Sequence, residues 1–402
     1  MRSLDFVGNT GNSRIVLGAT FDQLTEFCDT EKTAIIVDRN VLELHRDKLS
    51  PYQRLIEVEP GEQQKTLETI NAIYERFLEW ELDRASTVIG VGGGMVCDMS
   101  GFAASTYLRG MPFAFVPTTL LALVDASVGG KNGVNYHGYK NLVGTFNQPG
   151  FVLCDFDFLR TLPYDELKNG IAEAIKSALV GDATLFSYIE DNKKDISLLN
   201  NDVILRIVFD SLNVKVDVVS QDETEKGERR KLNLGHTIGH AIEKTMGFHH
   251  GEAVSIGIIV SARLSEKNGT LTKKDVKRIE RLLSYFQLPI ILEGEFDLDH
   301  IAVGLCDDIL NKTLPQAGGM HSLQLGELVA PILYSELCPG IGNLCFGELF
   351  FACHGTKKTM EGTGIKDIKK PASMGRLSSF VDLRLVTKQN LFEFLTIHPA
   401  YI

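Results

Sequence analysis

The sequence has few of the features that mark secreted, membrane or nucleic-acid-binding proteins. Its seven cysteines are an odd, scattered number and include no Cys-x-x-Cys pair, which argues against a disulfide framework and against a zinc knuckle. No run of about 18 apolar residues occurs, and Asp5 and Asn9 interrupt the start where a signal peptide would be apolar. We therefore expect a cytoplasmic protein in a reducing compartment, with no membrane partner.

Excess positive charge is also lacking. Lys and Arg number 41 against 52 Asp and Glu, which gives a net charge of −11. Because nucleic-acid backbones are bound through surplus Lys and Arg, no nucleic-acid partner is expected. The net negative charge does not exclude a small anionic substrate, since a local cationic pocket can form inside an acidic protein.

The length of 402 residues and the 44% hydrophobic content favour two domains over one. Short β-rich runs alternate with helical patterns up to about residue 165, as is typical of a parallel α/β sheet. The predicted strands are 13–17, 33–38, 54–58, 87–91, 114–116 and 151–155, and the predicted helices are 64–80, 165–190, 203–221, 235–246, 252–268 and 273–286. We expect an α/β domain over 1–164, a mostly α-helical domain over 165–345 and an atypical tail over 346–402.

Three consecutive glycines, including Gly93 and Gly94, follow a predicted strand and precede Asp98. Glycines there let the backbone approach a pyrophosphate at a helix amino terminus. The spacing is not Gly-x-Gly-x-x-Gly, so a simple tight turn is an equal alternative. Asp38 follows an apolar run and is either a ribose ligand or a turn residue.

A glycine-rich stretch contains Lys131, Asn132, Lys140 and Asn141. Lysine supplies a point charge and asparagine a directed donor, so these residues could clamp a phosphate or carboxylate. A solvated loop would have the same composition, and the sequence leaves both interpretations open.

A histidine cluster carries the strongest chemical signal. His236 and His240 stand four residues apart, on one face of a predicted helix, and His250 follows closely. A catalytic zinc site usually has three protein ligands, and Glu173 is a candidate for the third. Thr237 stands where a metalloprotease would have its general base, so hydrolysis is not indicated. Glu173 and Lys176 would form a weak ion pair if their helix were on the surface.

Longer motifs extend through both predicted domains. They are Gly101-Phe102-Ala103-Ala104, Tyr107-Leu108-Arg109-Gly110, the run from Val116 to Ala122, Val128-Gly129-Gly130-Lys131, Lys140-Asn141, the segment from Asp222 to Asn233, Gly235-His236-Thr237, Gly239-His240-Ala241 and His250-Gly251-Glu252. Together with Gly61-Glu62 and Lys65, these motifs resemble the 3-dehydroquinate synthases over residues 13–300. The resemblance implies a Rossmann-like amino-terminal domain and a helical carboxyl-terminal domain.

The resemblance also implies roles for individual residues. Glu173, His236 and His250 match zinc ligands, with cobalt as an alternative metal, whereas His240 matches a substrate contact. The other matched substrate-pocket residues are Asp125, Lys131, Asn141, Lys176, Lys215, Arg229 and Asn233. Arg109 matches a residue that reaches the partner subunit's site, which implies a homodimer. The residues grouped at the NAD site are Asp38, Glu62, Lys65, Gly93, Gly94, Asp98, Thr118, Thr119 and Lys140.

The implied activity converts 3-deoxy-arabino-heptulosonate 7-phosphate, an anionic sugar phosphate, into 3-dehydroquinate and phosphate in the shikimate pathway. NAD would be reduced and reoxidised within each cycle. Three alternatives are kept: an NAD- and metal-dependent glycerol or alcohol dehydrogenase, another sugar phosphate cyclase that makes deoxyinosose or valiolone, and a catalytically silent regulatory or scaffold protein. The joint presence of Lys215, Asn233 and His240 favours dehydroquinate.

The end of the chain departs from the family pattern. Where the family has Asp-Lys-Lys, this sequence has Asn311-Lys312-Thr313, so the match of Lys312 to a substrate lysine requires a shift. The remainder is interpreted either as a lineage-specific extension or as an end altered by a changed reading frame.

Overall fold

The computed structural model describes residues 1–292 of the chain. The predictions for Lys312, for the tail over 346–402 and for the last part of the helical domain lie outside the described residues.

A seven-stranded sheet in the order β1-β2-β9-β6-β5-β3-β4 organises the first half of the chain, and β7 and β8 form a separate hairpin. The strands are β1 (Arg2–Gly8), β2 (Gly11–Leu17), β3 (Thr33–Asp38), β4 (Leu55–Val58), β5 (Thr87–Gly92), β6 (Phe113–Pro117), β7 (Lys131–Tyr136), β8 (Tyr139–Phe146) and β9 (Phe151–Cys154). Among the strands of this sheet that lie in residues 1–292, only β1 and β2 pair antiparallel, so the predicted parallel α/β class is confirmed.

The large sheet is buried on both faces. Ile35 and Ile89 contribute to one hydrophobic core, whereas Ile36 and Val88 contribute to the core on the opposite face. This alternation follows from the period of two in a strand, and it explains why the central strands are apolar at nearly every position.

Helices predominate from residue 164 onward. The α-helices of the described residues are α1 (Arg39–Leu44), α2 (Arg46–Leu49), α3 (Leu67–Glu79), α4 (Gly94–Thr106), α5 (Tyr164–Gly181), α6 (Ala183–Asp191), α7 (Lys193–Ser197), α8 (Asn201–Gln221), α9 (His236–Met246), α10 (His250–Lys267) and α11 (Lys273–Tyr285). The prediction of one helix over 165–190 was wrong. Asp182 interrupts it, because its side chain accepts hydrogen bonds from the amides of Thr184 and Leu185 and begins α6.

The β7–β8 hairpin occupies the Lys- and Asn-rich stretch that the sequence left open between a clamp and a loop. Gly133 pairs with Gly144, and a Cβ at Gly144 would lie 2.4 Å from the carbonyl oxygen of Asn132. A Cβ at Gly101 of α4 would lie 1.9 Å from Oδ1 of Asn132. Gly144 therefore allows the two hairpin strands to approach closely, and Gly101 allows the hairpin to lie against α4. The glycines within the strands weaken the strand signal in the sequence.

Close helix packing brings the histidines together. Gly235, just before α9, has a left-handed φ of 77°, and a Cβ there would lie 2.8 Å from the carbonyl oxygen of Val254 in α10. A Cβ at Gly257 would lie 2.0 Å from the carbonyl oxygen of Gly235. Only glycine at both positions lets the start of α9 touch α10. Within residues 1–292, no helix combines the length and the apolarity needed to cross a membrane.

Candidate active site

Three prospective metal ligands from three helices meet at one buried point. Glu173 lies in α5, His236 is the first residue of α9, and His250 is the first residue of α10. Oε1 of Glu173 lies 3.5 Å from Nε2 of His236 and 3.4 Å from Nε2 of His250. Both carboxylate oxygens of Glu173 are buried without a hydrogen bond of regular geometry, although the ammonium of Lys176 lies 2.5 Å from Oε2.

The donor set fits a zinc ion. With bonds of about 2.0–2.1 Å, neighbouring ligand atoms around a tetrahedral zinc lie roughly 3.3 Å apart. The two measured separations are close to that value, and one ligand atom from each of the three residues falls within 4.8 Å of the others. Two imidazoles and one carboxylate form the kind of set that leaves a fourth position for substrate.

A carboxylate outside this set faces the other nitrogen of His250. Oε2 of Glu243 lies 3.5 Å from Nδ1 of His250, and Oε1 accepts a 2.6 Å ion pair from Lys140. Burial lowers the pKa of His250, but the carboxylates of Glu173 and Glu243 outweigh this and raise it to about 9. Burial raises the pKa of Glu243, but His250 and Lys140 lower it to about 2. A metal that binds His250 must therefore displace a proton.

His240 lies beside the metal cluster. Its ring centroid is 5.3 Å from that of His236 and 6.1 Å from that of His250. It also belongs to a second group of close donor atoms, with Glu243 and His250. All three predicted histidines are thus brought together, and Glu173, His236 and His250 are the most buried trio.

Two lysines and one aspartate form a buried charge cluster next to Glu173. Lys176 and Lys215 both reach Asp125, at 3.6 Å and 2.5 Å, and both side chains are almost fully buried. Although burial opposes it, the two ammonium groups hold the pKa of Asp125 well below its usual range. Burial, with repulsion from Arg229, lowers the pKa of Lys215 to about 8 despite the attraction of Asp125.

A second charged group surrounds Arg229. Its guanidinium is buried and donates to the carbonyl oxygens of Glu223 at 2.5 Å and of Gly129 at 2.9 Å. Glu225 forms an ion pair with Lys131 and accepts a 2.5 Å hydrogen bond from the amide of Asn233. Half of the Lys131 side chain is exposed; partial desolvation and repulsion from Arg229 lower its pKa, whereas Glu225 opposes that shift.

The predicted nucleotide residues Lys65 and Asp98 form a buried pair. Nζ of Lys65 lies 2.6 Å from Oδ2 of Asp98 and 2.5 Å from Oδ1 of Asn141. Burial raises the pKa of Asp98, and Lys65 opposes that shift. Glu62 lies at the same place, 3.9 Å from Lys65, and receives a hydrogen bond from Asn135.

The remaining nucleotide candidates lie at the carboxyl ends of the parallel strands. Gly93 and Gly94 start α4 directly after β5, and a Cβ at Gly93 would lie 3.1 Å from Thr119. Thr118 follows β6 and donates its amide to the carbonyl oxygen of Gly92. Asp38 ends β3 and caps α1 through the amide of Asn40, so the turn role is present, and burial raises the pKa of its carboxyl.

The last two predicted residues, Lys140 and Arg109, lie in different places. Lys140 pairs with Glu243 of the helical part and not with the glycine-rich turn after β5. Arg109 is exposed in a left-handed turn after α4, with φ of 51° at Leu108 and 65° at Arg109.

Three acidic residues in the site had no role in the sequence interpretation. Glu225 joins Lys131 to Asn233, and Glu223 receives hydrogen bonds from the β1–β2 turn and from Gln148. Glu243 contacts His250 and Lys140. The sequence contains a signal for these residues. Buried lysines and arginines need carboxylate partners, and these acids are interspersed among the cationic motif residues.

The sequence of this chain matches one enzyme family over both of its parts. Residues 55–169 match the family described as 3-dehydroquinate synthase N-terminal, and residues 170–308 match the one described as 3-dehydroquinate synthase C-terminal. The chain is 41% identical over 283 residues to the 3-dehydroquinate synthase of Vesicomyosocius okutanii, which covers 68% of this chain and 79% of that protein.

Solved structures share the fold. A 2-deoxy-scyllo-inosose synthase complexed with carbaglucose-6-phosphate, NAD+ and Co2+ is 25% identical, with a TM-score of 0.68 over 76% of this chain and 86% of that one. The 2-epi-5-epi-valiolone synthase from Streptomyces hygroscopicus with NAD+ and Zn2+ bound is 24% identical, with a TM-score of 0.71 over 83% of this chain and 99% of that one.

Proposed function

Since the chain belongs to the 3-dehydroquinate synthase family, we propose that it converts 3-deoxy-arabino-heptulosonate 7-phosphate into 3-dehydroquinate and phosphate, with NAD and one zinc ion. The observation that carries this proposal is the position of Glu173, His236 and His250 beside the buried Lys176–Asp125–Lys215 cluster. A metal site for substrate oxygens thus adjoins a cationic site for substrate anions.

The metal ligands fit zinc by their atom types, separations and burial, and cobalt is the alternative. The two solved cyclases hold NAD+ with Co2+ or Zn2+. When bound, zinc supplies Lewis acidity at a substrate hydroxyl, and NAD supplies the temporary oxidation of one substrate carbon. Lys176, 2.5 Å from Glu173, supplies a positive charge beside that buried carboxylate.

The cationic residues bind and orient the substrate. Lys131, Lys215 and Arg229 carry the charge that a phosphate and a carboxylate require, and Arg229 is suited to two parallel hydrogen bonds. Lys131 and Lys215 are already neutralised by Glu225 and Asp125. A substrate anion replaces or shares these partners, so buried Lys215 has a counter-charge both before and after the substrate binds.

The nucleotide is assigned to the carboxyl edge of the sheet. The amino terminus of α4, with Gly93 and Gly94, offers backbone N–H groups to the pyrophosphate. Thr118 and Thr119 follow the neighbouring strand β6, and Lys65 and Asp98 form the charged pair beside them. Asp38, at the end of β3, is assigned to the ribose, as in other doubly wound folds.

Three residues favour a carboxylate-bearing substrate over the substrates of other sugar phosphate cyclases. Lys215, Asn233 and His240 are all present and lie around the metal and cation clusters. A carboxylate-bearing substrate accounts for this surplus of donors. Arg109 is assigned to the partner subunit's site in a homodimer, and the two-domain division at residue 164 remains part of the same proposal.

One assay tests the function. Purified protein is incubated with the heptulosonate phosphate and NAD, and phosphate and dehydroquinate are quantified with and without a chelator. We expect both products in equal amounts, loss of both after chelation, and no net absorbance from NADH. Stoichiometric NADH accumulation would instead indicate a dehydrogenase, and product from a sugar phosphate without the carboxylate would indicate another cyclase.

A further inference from the structure

Glu243 joins the metal cluster to the β7–β8 hairpin. It stands seven residues after His236 on α9, so both side chains lie on the same face of the helix. One carboxylate oxygen lies 3.5 Å from Nδ1 of His250, and the other lies 2.6 Å from Nζ of Lys140 on β8. The side chain of Glu243 is 15% exposed, and its Oε2 is buried with no regular hydrogen bond.

The two nitrogens of His250 face different carboxylates. Nε2 faces Glu173 and the metal position, and Nδ1 faces Glu243. A histidine can bind a metal through Nε2 only if its other nitrogen carries the proton, and an outer carboxylate commonly fixes that state and the ring orientation. We propose that Glu243 is a positioning residue that holds His250 for the metal, and that Lys140 holds Glu243. This inference rests on the metal site of the proposed function.

A second metal ion at His240, Glu243 and His250 is the competing explanation of the same group. These three residues do place ligand atoms within 4.8 Å of one another. The ammonium of Lys140, however, lies against Glu243 and would repel a second dication, whereas it favours an ionised carboxylate. The charge of Lys140 therefore favours a Glu243 that contacts His250 and does not itself bind a metal ion.

The test measures zinc affinity directly, without NAD or substrate, by titration of metal-free protein against a chromophoric chelator. Glu243→Gln retains the shape of the side chain but removes its charge, and its amide can present N–H instead of oxygen to His250. We expect about 10–100-fold weaker zinc binding, as for other outer-shell partners of a ligating histidine. Lys140→Met should cause a smaller loss in the same direction.

Glu252→Gln is the matched control. Glu252 lies two residues after His250, its side chain is 21% exposed, and it also pairs with a lysine, Lys168, at 3.3 Å. The control removes the same charge from α10, the helix that begins at His250, but leaves the Nδ1 side of His250 intact, so its zinc affinity should equal that of the wild type. Circular dichroism and thermal unfolding of the metal-free proteins identify a folding defect. If Glu243→Gln does not fold, Glu243→Asp, which shortens the reach by one methylene, replaces it.

The outcomes separate the two proposals. If the wild type binds one zinc and Glu243→Gln binds it equally well, the positioning role is overturned and the metal site stands. If the wild type binds no zinc, both fail. A second zinc equivalent that disappears in Glu243→Gln would establish the competing explanation. The visible spectrum of the cobalt-loaded protein provides an independent readout, since a reoriented His250 should change its bands in Glu243→Gln but not in Glu252→Gln.

Discussion

Lys176 lies one helical turn after Glu173 in α5, with its ammonium 2.5 Å from the Glu173 carboxylate and both side chains buried. The sequence allowed these two residues to be an ordinary surface ion pair, which would contribute little to stability. Their burial changes the expectation, because removal of one partner leaves an uncompensated charge in a poorly solvated place. The pair also sets a positive charge beside a prospective metal ligand.

Lys176→Met should destabilise the metal-free protein by about 3–5 kcal/mol, as for other broken buried pairs. Zinc should recover part of that loss, since the metal then compensates the charge of Glu173. Chemical denaturation with and without zinc measures both quantities. Lys231→Met is the control, because Lys231 pairs with Glu228 at an exposed site and its loss should cost less than about 1 kcal/mol. Equal effects of the two substitutions would contradict the buried charge argument.

His236→Ala and His250→Ala should each lose zinc and activity together, because a three-ligand site binds metal far more weakly with two. His240→Ala should retain zinc and lose turnover. Metal content after dialysis, paired with the phosphate-release assay, distinguishes these cases. A purified His240→Ala protein that lacks zinc would overturn the assignment of Glu173, His236 and His250 as the ligands.

Much of the fold could be predicted from sequence, because its signals are local. The strands at 33–38 and 87–91 are apolar runs followed by a helix start, and the structure confirms both. The β7–β8 hairpin could not be predicted, since Gly133 and Gly144 weaken the strand pattern and are required by the close approach of the two paired strands, which the sequence does not show. The clustering of Glu173 with His236 and His250 was implied by family resemblance and not by spacing. The positions of Glu225 and Glu243 among cationic motif residues show that they could pair with a buried charge, but which lysine or histidine each one meets depends on the fold.

Substrate binding should weaken above pH 8 because of Lys215. The folded protein lowers the pKa of Lys215 from 10.5 to about 8, so the side chain is cationic below this pH and neutral above it. KM for the phosphate substrate should therefore rise as the pH increases through about 8.

The same pKa shift affects stability. Between pH 8 and 10.5 the unfolded chain binds more protons at Lys215 than the folded chain does, so the contribution of Lys215 to the free energy of unfolding increases with pH. Lys215→Arg retains the positive charge at high pH, so KM of this variant should not rise. If KM of Lys215→Arg rises with pH as in the wild type, the rise is caused by another group.

Arg109 should act in the partner subunit's site, which a mixing experiment can test. The residue is exposed in a left-handed turn after α4. Arg109→Ala and His236→Ala should each be nearly inactive alone. In a mixed dimer, however, the site built on the Arg109→Ala subunit has intact metal ligands and receives Arg109 from its partner. With random pairing, about a quarter of all sites are complete, so co-refolded protein should recover about a quarter of wild-type activity.

Recovery no greater than the average of the two parents, in material whose mass is that of a dimer, would place Arg109 in its own subunit's site or outside any site. Co-refolding of Lys131→Ala with His236→Ala is the control, because both residues then belong to one subunit's site and no complete site can form.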